Sequence, residues 1–263
     1  MSEHFERLSA VFDVELRKQV DLLWPREAER LEAHGLREAK TVLDLGTGNG
    51  YFLSRLAERH PDKSFVGIES SPSLADIARR GAAEGKLSNM RVIAGACPLM
   101  KLEDRFDLVL ARLSLYCMPN REEVLLWARG LLSERGRIAI IDVDDGMKTC
   151  WPPSDLWEIF VPGIARDIGP GADRLIGRKL PHLLLKAGFR DIRLEFQPWY
   201  SSTDIGGKAF VDFWAGSSRQ MADDNADVFG PGGLAKVVKS IEDIAASSDK
   251  VALTFECVAS AAK

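Results

Sequence analysis

The chain has 263 residues and a formal net charge of −4, enough length for one large domain or a domain with a cap. The mildly acidic balance and the lack of a long basic run remove the simplest electrostatic reason to expect nucleic acid as a partner. No apolar run reaches a membrane span, and the opening MSEHFERL carries charges of both signs without an apolar signal region, so a cytoplasmic protein with no membrane partner is expected.

Residues 2–35 read as helices, with Val11, Phe12, Val14, Leu16, Val20, Leu22, Leu23 and Trp24 supplying apolar faces and Pro25 expected to open a second helix toward Leu31. Residues 41–56, TVLDLGTGNGYFLSRL, organise the rest. A β-branched and aliphatic run (Thr41, Val42, Leu43, Leu45) passes into Gly46, Gly48 and Gly50 and then into apolar residues at helical spacing (Phe52, Leu53, Leu56, Ala57). That is the pattern of strand, glycine turn and helix. Glycines there permit positive φ and close approach of a ligand to the main chain, and the next helix aims its unpaired N–H groups at the turn. The spacing is G-x-G-x-G after Asp44, and Tyr51 stands where a dinucleotide fingerprint has its third glycine. Glu69 ends the next apolar run, residues 65–68, one βαβ unit on; its carboxylate can accept both hydroxyls of a ribose.

Ser71 is a good N-cap and Pro72 a good first residue for a helix through Ala83, with Leu74, Ile77 and Ala78 inward. Residues 90–94 make a third strand. Residues 106–111, FDLVLA, are the near-continuous apolar run of a parallel strand covered on both faces. Because ligands of open α/β sheets bind beyond the strands' C-terminal ends, residues 112–116 should line a reaction chamber. An amphipathic helix over 121–132 leads through Arg135-Gly136 to a fifth strand, 137–143. Residues 144–172 are irregular, with a short helix expected over 155–160; a helix over 177–188 carries Pro181 in its first turn, and 189–196 is a sixth strand. Two helix-like patterns, 208–221 and 234–246, precede the last strand, 251–259. So long a connection reads as a cap or dimer surface. The four cysteines (Cys97, Cys117, Cys150, Cys257) are scattered, with no C-x-x-C, and read as reduced thiols.

DLGTGNG followed by VGIE resembles motif I and the following acidic strand end of class I S-adenosylmethionine-dependent methyltransferases, of the small-molecule type, over roughly residues 41–196. The resemblance implies a Rossmann-like, doubly wound, mostly parallel seven-stranded sheet with helices on both faces and an antiparallel last strand. It further implies a cofactor-binding core (40–197, with 144–172 an irregular cap) completed by a core strand (250–263), and an N-terminal helical segment (1–39) that is either a lid over the cofactor or packing on the sheet edge; residues 198–249 depart from the family's minimal fold as a helical insertion. Arg135 stands where the family's L-x-x-G-G-x-L segment has a first glycine, a change a turn tolerates when φ is negative. Ala96 stands where relatives frequently place an aspartate beside adenine, leaving that task to backbone groups or to the Cys97 side.

The cofactor-binding candidates are therefore Asp44, Gly46, Thr47, Gly48, Asn49, Gly50, Glu69, Ser70, Ala96, Cys97 and Arg112. Arg112 either orients the cofactor or pairs with an acidic neighbour. Where a base must take a proton from the acceptor, the candidates at the right strand ends are Tyr116 and Asp144, with Asp145 and Glu158 nearby; the competing reading of Tyr116 is a packed aromatic. Metal-dependent relatives place a further carboxylate where Arg112 stands, so no metal is expected. Trp151, Trp157, Trp199, Tyr200 and Trp214 crowd the insertions, either as packing or as an aromatic substrate cage. The expected function is methyl transfer from S-adenosylmethionine to a small molecule, of the kind used in secondary metabolism, with a homodimer formed through the insertion. The alternatives are intramolecular cyclisation or elimination of S-adenosylmethionine with release of methylthioadenosine, and a non-catalytic cofactor-binding partner subunit. The segment after the fourth strand lacks the N-P-P-Y type motif of amino-methylating DNA enzymes.

Overall fold

The computed structural model describes residues 9–153, 171–200, 233–247 and 249–263. The expected helices over 155–160 and 208–221, together with His4, Trp157, Glu158 and Trp214, lie outside the described residues.

The glycine turn joins β1 (Thr41–Leu45) to α2 (Tyr51–Arg59); β2 (Ser64–Glu69), α3 (Pro72–Glu84), β3 (Met90–Ala94), β4 (Phe106–Arg112), α4 (Arg121–Leu131) and β5 (Leu132–Val143) follow. After them come β6 (Thr149–Trp151), α5 (Leu180–Lys186), β7 (Arg190–Tyr200), α6 (Gly233–Ala246) and β8 (Val251–Ala262), while α1 (Ser9–Leu31) precedes β1. The sheet runs β3-β2-β1-β4-β5-β8-β6 with β7 also paired to β8. Strands β1 to β5 are mutually parallel and β8 is antiparallel to β5 and β7. This is the expected doubly wound sheet, its order reversing between β1 and β4.

Alternation along each strand divides the core between two faces. Val42, Phe65, Leu108, Leu110, Ala139, Ile141 and Val258 pack with Val20 and Leu31 of α1 and Phe52, Leu53 and Leu56 of α2. Leu43, Val66, Val109, Ile138, Ile140 and Ala259 pack with Val124, Leu125 and Ala128 of α4 and Leu180, Leu183 and Leu184 of α5. Burial on both faces explains why the inner strands read as unbroken apolar runs. At the opposite end from the turn, Asp107 accepts from Lys40 N (3.0 Å) and Ser133 Oγ (3.1 Å), tying three strand starts together.

Three expectations are corrected. Pro25 does not open a second helix; it lies inside the continuous helix α1. Its lost N–H is one bond, and the neighbouring side chains hold the turn: Trp24 meets Phe52 edge-on at 5.5 Å, and Arg26 reaches Pro198 O at 2.9 Å. The strand count rises to eight because β6, three residues long and too short for a periodic signal, pairs with Val251, Ala252 and Leu253, beyond the point where β5 stops at Glu256. The helix expected over 177–188 opens as a single 3-10 turn, Gly177–Lys179, before α5. Arg135, expected in a turn, lies within β5 and is not among the residues with positive φ, so the missing glycine causes no backbone strain there.

Candidate cofactor and acceptor site

The turn after β1 is held by its neighbours. Gly46 N and Thr47 N both donate to Ile68 O at 2.9 Å, and Gly50 N donates to Thr47 O at 3.0 Å. Gly46, Gly48 and Gly50 all have positive φ (74°, 60° and 72°), a conformation in which a side chain is strained. Their surroundings differ. A Cβ on Gly46 would meet Ser114 Cβ at 2.9 Å and one on Gly50 would meet Ala78 Cβ at 2.6 Å, whereas on Gly48 it would meet only Leu16 Cδ1, at 3.4 Å. Gly46 and Gly50 therefore serve close packing, whereas Gly48 has room around it beneath α1. Gly67, inside β2, lets Thr47 approach to within 2.8 Å of where its Cβ would be; a glycine inside a strand run is the signal for such an approach.

Glu69 is turned into this loop. Its Oε2 accepts from Gly48 N at 2.8 Å, and its Oε1 accepts from Ser71 N at 2.8 Å and Ser70 Oγ at 3.3 Å. Burial raises its pKa, opposed by these donors. Asp44 is buried at the end of β1, its Oδ1 without a hydrogen-bond partner. Burial pushes its carboxyl up to about 6, against the pull of Thr47 and Arg112. Gly95 N donates to Glu69 O at 2.8 Å, so Ala96 and Cys97 follow directly beside Glu69. Ala96 is exposed and Cys97 half-buried. The Cys97 and Cys117 thiols are both pushed up to about 12 by burial, which keeps them protonated and poor nucleophiles.

Helix α1 supplies residues that sequence reasoning missed. Asn49 Nδ2 donates to Asp13 Oδ1 at 2.7 Å while Asn49 Oδ1 accepts from Tyr51 N at 3.1 Å, so one amide caps α2 and fastens α1 to the turn. Arg112 takes the second of its two expected roles. Its Nε lies 2.9 and 2.8 Å from the two carboxylate oxygens of Glu27, its Nη1 donates to Gln19 Oε1 at 3.2 Å, and its guanidinium sits 4.6 Å from the centre of the Phe52 ring. No local pattern could pair residues 27 and 112.

The two acid–base candidates lie toward β5. Tyr116 is half-buried under the Arg174 guanidinium, 4.8 Å from its ring centre, and burial raises its hydroxyl pKa. Asp144 is buried and saturated: Arg178 donates from its backbone N (2.8 Å), Nε (2.7 Å) and Nη2 (2.6 Å). Its neighbours diverge. Asp142 accepts from Tyr116 N and Val143 N and is pushed up to about 7 by burial, whereas Asp145 pairs with Lys148 and Arg174. Among the described residues no group of three His, Cys, Asp or Glu could hold a metal ion, and no helix is long and apolar enough to cross a membrane. The structure thus brings Asp44, the glycines, Asn49, Glu69, Ser70 and Cys97 together around the turn after β1, sets Arg112 under α1, and places Tyr116 and Asp144 farther along the strand ends.

Comparison with known proteins bears on the fold. Residues 36–158 match the family model described as a methyltransferase domain. A tRNA (guanine-N(7)-)-methyltransferase of Thermotoga maritima is 42% identical over 72 residues, 27% of this chain and 21% of that protein. The chain spans about half or less of the length of the curated relatives it matches. The crystal structure of the [4+2]-cyclase SpnF superposes with a TM-score of 0.60 at 21% identity, covering 90% of this chain and 80% of that one. Phosphoethanolamine N-methyltransferase 2 of Haemonchus contortus, solved with phosphomonomethylethanolamine and S-adenosylhomocysteine, gives 0.59 at 16% identity, covering 91% and 52%. At these identities the superpositions speak for the fold.

Proposed function

We propose, for a chain that carries a class I S-adenosylmethionine-dependent methyltransferase domain, that it transfers a methyl group from S-adenosylmethionine to a small-molecule acceptor. The observation that supports the cofactor assignment is the contact of Glu69 Oε2 with Gly48 N at 2.8 Å, between the strand-end carboxylate and the open glycine. The donor set fits the group. Glu69 and Ser70 would hold the ribose hydroxyls, the open side of Gly48 would let the cofactor approach the main chain, and the unpaired Oδ1 of Asp44 would accept from the cationic amino-acid tail. Cys97 and its neighbours would flank the adenine. When bound, the sulfonium supplies a methyl group that needs no further activation.

The chain's own part is then mainly to hold the acceptor in line, worth roughly 7–11 kcal/mol where orientation is good. Tyr116, neutral at physiological pH, is assigned to positioning the acceptor by hydrogen bonding. Asp144, fully engaged by Arg178, is assigned to holding the chamber wall and not to proton transfer. A small acceptor is favoured by the seating of α1 over Gly48, which encloses the crevice, and by the net charge of −4, which gives no field to draw RNA in. The insertion over 198–249 is assigned to a cap or dimer surface, and the setting to cytoplasmic secondary metabolism. Methyl-labelled S-adenosylmethionine incubated with protein and either a small-molecule extract or bulk tRNA tests the acceptor class. Label in the small-molecule fraction is expected; label in tRNA alone overturns the acceptor assignment, and methylthioadenosine released without any acceptor overturns transfer itself.

A further inference from the structure

Three charged groups that cofactor binding does not need meet in the interior between α1 and the sheet: Glu27 of α1, Arg112 at the end of β4 and Glu256 of β8, exposed by 1%, 9% and 6%. Arg112 Nε spends itself on both Glu27 oxygens (2.9 and 2.8 Å), and Trp199 Nε1 of β7 donates to Glu256 Oε2 at 3.0 Å. The other Glu256 oxygen, Oε1, is buried without a hydrogen-bond partner, and Arg112 forms its ion pair with Glu27 alone. The groups facing Glu256 are Glu27 from α1, Arg112 from β4 and the uncharged Trp199 from β7. Arg26 of α1 covers the far side of Trp199, its guanidinium 4.6 Å from the ring centre, and donates to Pro198 O at 2.9 Å. Asp44 also feels Arg112, from β1.

A second buried carboxylate beside Glu27 would lack a counter-ion, and burying an unpaired charge is costly. The structure therefore suits the form in which Glu256 keeps its proton and faces Glu27. Burial, then the Glu27 charge, raises the Glu256 pKa well above the ordinary carboxylate range. Every contact of the cluster with α1 is lost if that helix lifts, and lifting it also removes Leu16 from Gly48 and Asp13 from Asn49.

We propose that the Glu27–Arg112–Glu256 cluster is a protonation-controlled latch that holds α1 down over the glycine turn. With α1 seated, the cluster carries one proton more than with α1 lifted, because in the lifted state water reaches Glu256 and it ionises as an ordinary carboxylate. The seated state is therefore favoured fully at low pH. It loses one proton's worth of preference, tenfold per pH unit, as pH rises above the ordinary carboxylate range toward the raised pKa of the seated state.

Hydrogen exchange of the free protein, with no nucleoside present, tests this without relying on the methyltransferase reading. Protection of the α1 amides is measured from pH 5 to 8 and divided by that of α4, which lies on the opposite face and cancels the intrinsic chemistry of exchange. The ratio is expected to fall in the native chain, by up to tenfold per pH unit until the raised pKa of the seated state is passed, and to lose that fall in Glu256→Gln, which cannot ionise. A flat ratio in the native chain overturns the proposal even if Glu256→Gln does not fold, as does an equal slope in both proteins. A second arm follows dissociation of S-adenosylhomocysteine: release should quicken with pH in the native chain and not in the variant. Failure to bind S-adenosylhomocysteine at all would count against the cofactor assignment and leave the exchange result standing.

Discussion

Replacing Asp144 by alanine separates a wall residue from a base. The carboxylate is buried and receives three donors from Arg178, two from the guanidinium and one from the backbone N, between 2.6 and 2.8 Å. Hydrogen bonds to a charged group contribute about 1.5–3 kcal/mol each when measured singly and do not add. Removing one partner of a buried pair costs about 3–5 kcal/mol because the other charge is stranded. Here the Arg178 side chain is 49% exposed and rehydrates when released, which trims the penalty. The backbone N of Arg178 still loses its acceptor. A net loss of about 2–3 kcal/mol is expected, and at roughly 2–4 °C per kcal/mol for a chain of this size the melting temperature should fall by about 5–10 °C. Urea unfolding followed by circular dichroism gives the free energy directly. Asp144→Asn, which keeps one acceptor oxygen, should lose about half as much. An Asp144→Ala protein within about 0.5 kcal/mol of the native chain would refute the reasoning, and one that also lost turnover 100-fold or more would restore Asp144 as a base.

The glycines should divide by environment. Gly50→Ala forces a Cβ to within 2.6 Å of Ala78 and should cost more than 2 kcal/mol in thermal denaturation. Gly48→Ala, with only Leu16 nearby, should cost about 1 kcal/mol of φ strain while weakening nucleoside binding; equal losses at both positions would contradict the assignment. Asp13→Ala removes the side-chain acceptor of Asn49 Nδ2, leaving the Asp13 carbonyl at 3.2 Å, and should lower stability by about 1 kcal/mol, with faster exchange at the start of α2; unchanged exchange there would remove the Asp13 carboxylate from the turn. The Asp142 carboxyl, followed by carbon-13 NMR, should titrate near 7. Since that pKa is raised, its contribution to stability is present in full below the unfolded carboxylate pKa and is lost as pH rises through about 7; a midpoint below 5 would refute the burial argument.

The parts of the fold readable from sequence were those with local causes. Thr41–Leu45 and Phe106–Arg112 are mostly apolar, broken only by Thr41, Asp44, Asp107 and Arg112, because both faces are covered, and Ser71-Pro72 starts α3 as a capping pair should, with Ser71 Oγ accepting from Leu74 N at 3.2 Å. The glycine turn and Glu69 were legible for the same reason, each being tied to its neighbours over one βαβ unit. What escaped was long-range. The partner of Arg112 lies 85 residues away and the partner of Trp199 lies 57 residues away, and neither distance leaves a periodic trace. The engagement of Asp144 was not legible because a strand-end position says where a side chain is and nothing about Arg178, 34 residues on. Pro25 misled because a local rule cannot weigh the Phe52 and Trp199 contacts that keep α1 continuous.

Calorimetric titration of S-adenosylhomocysteine into the native chain and into Glu69→Ala tests the cofactor site most directly. Saturable binding of one nucleoside per chain is predicted, weakened in the variant by about 1–3 kcal/mol, or roughly 5- to 150-fold, through loss of charge-assisted hydrogen bonds. No saturable heat at millimolar nucleoside, or equal affinity in the two proteins, would contradict the account.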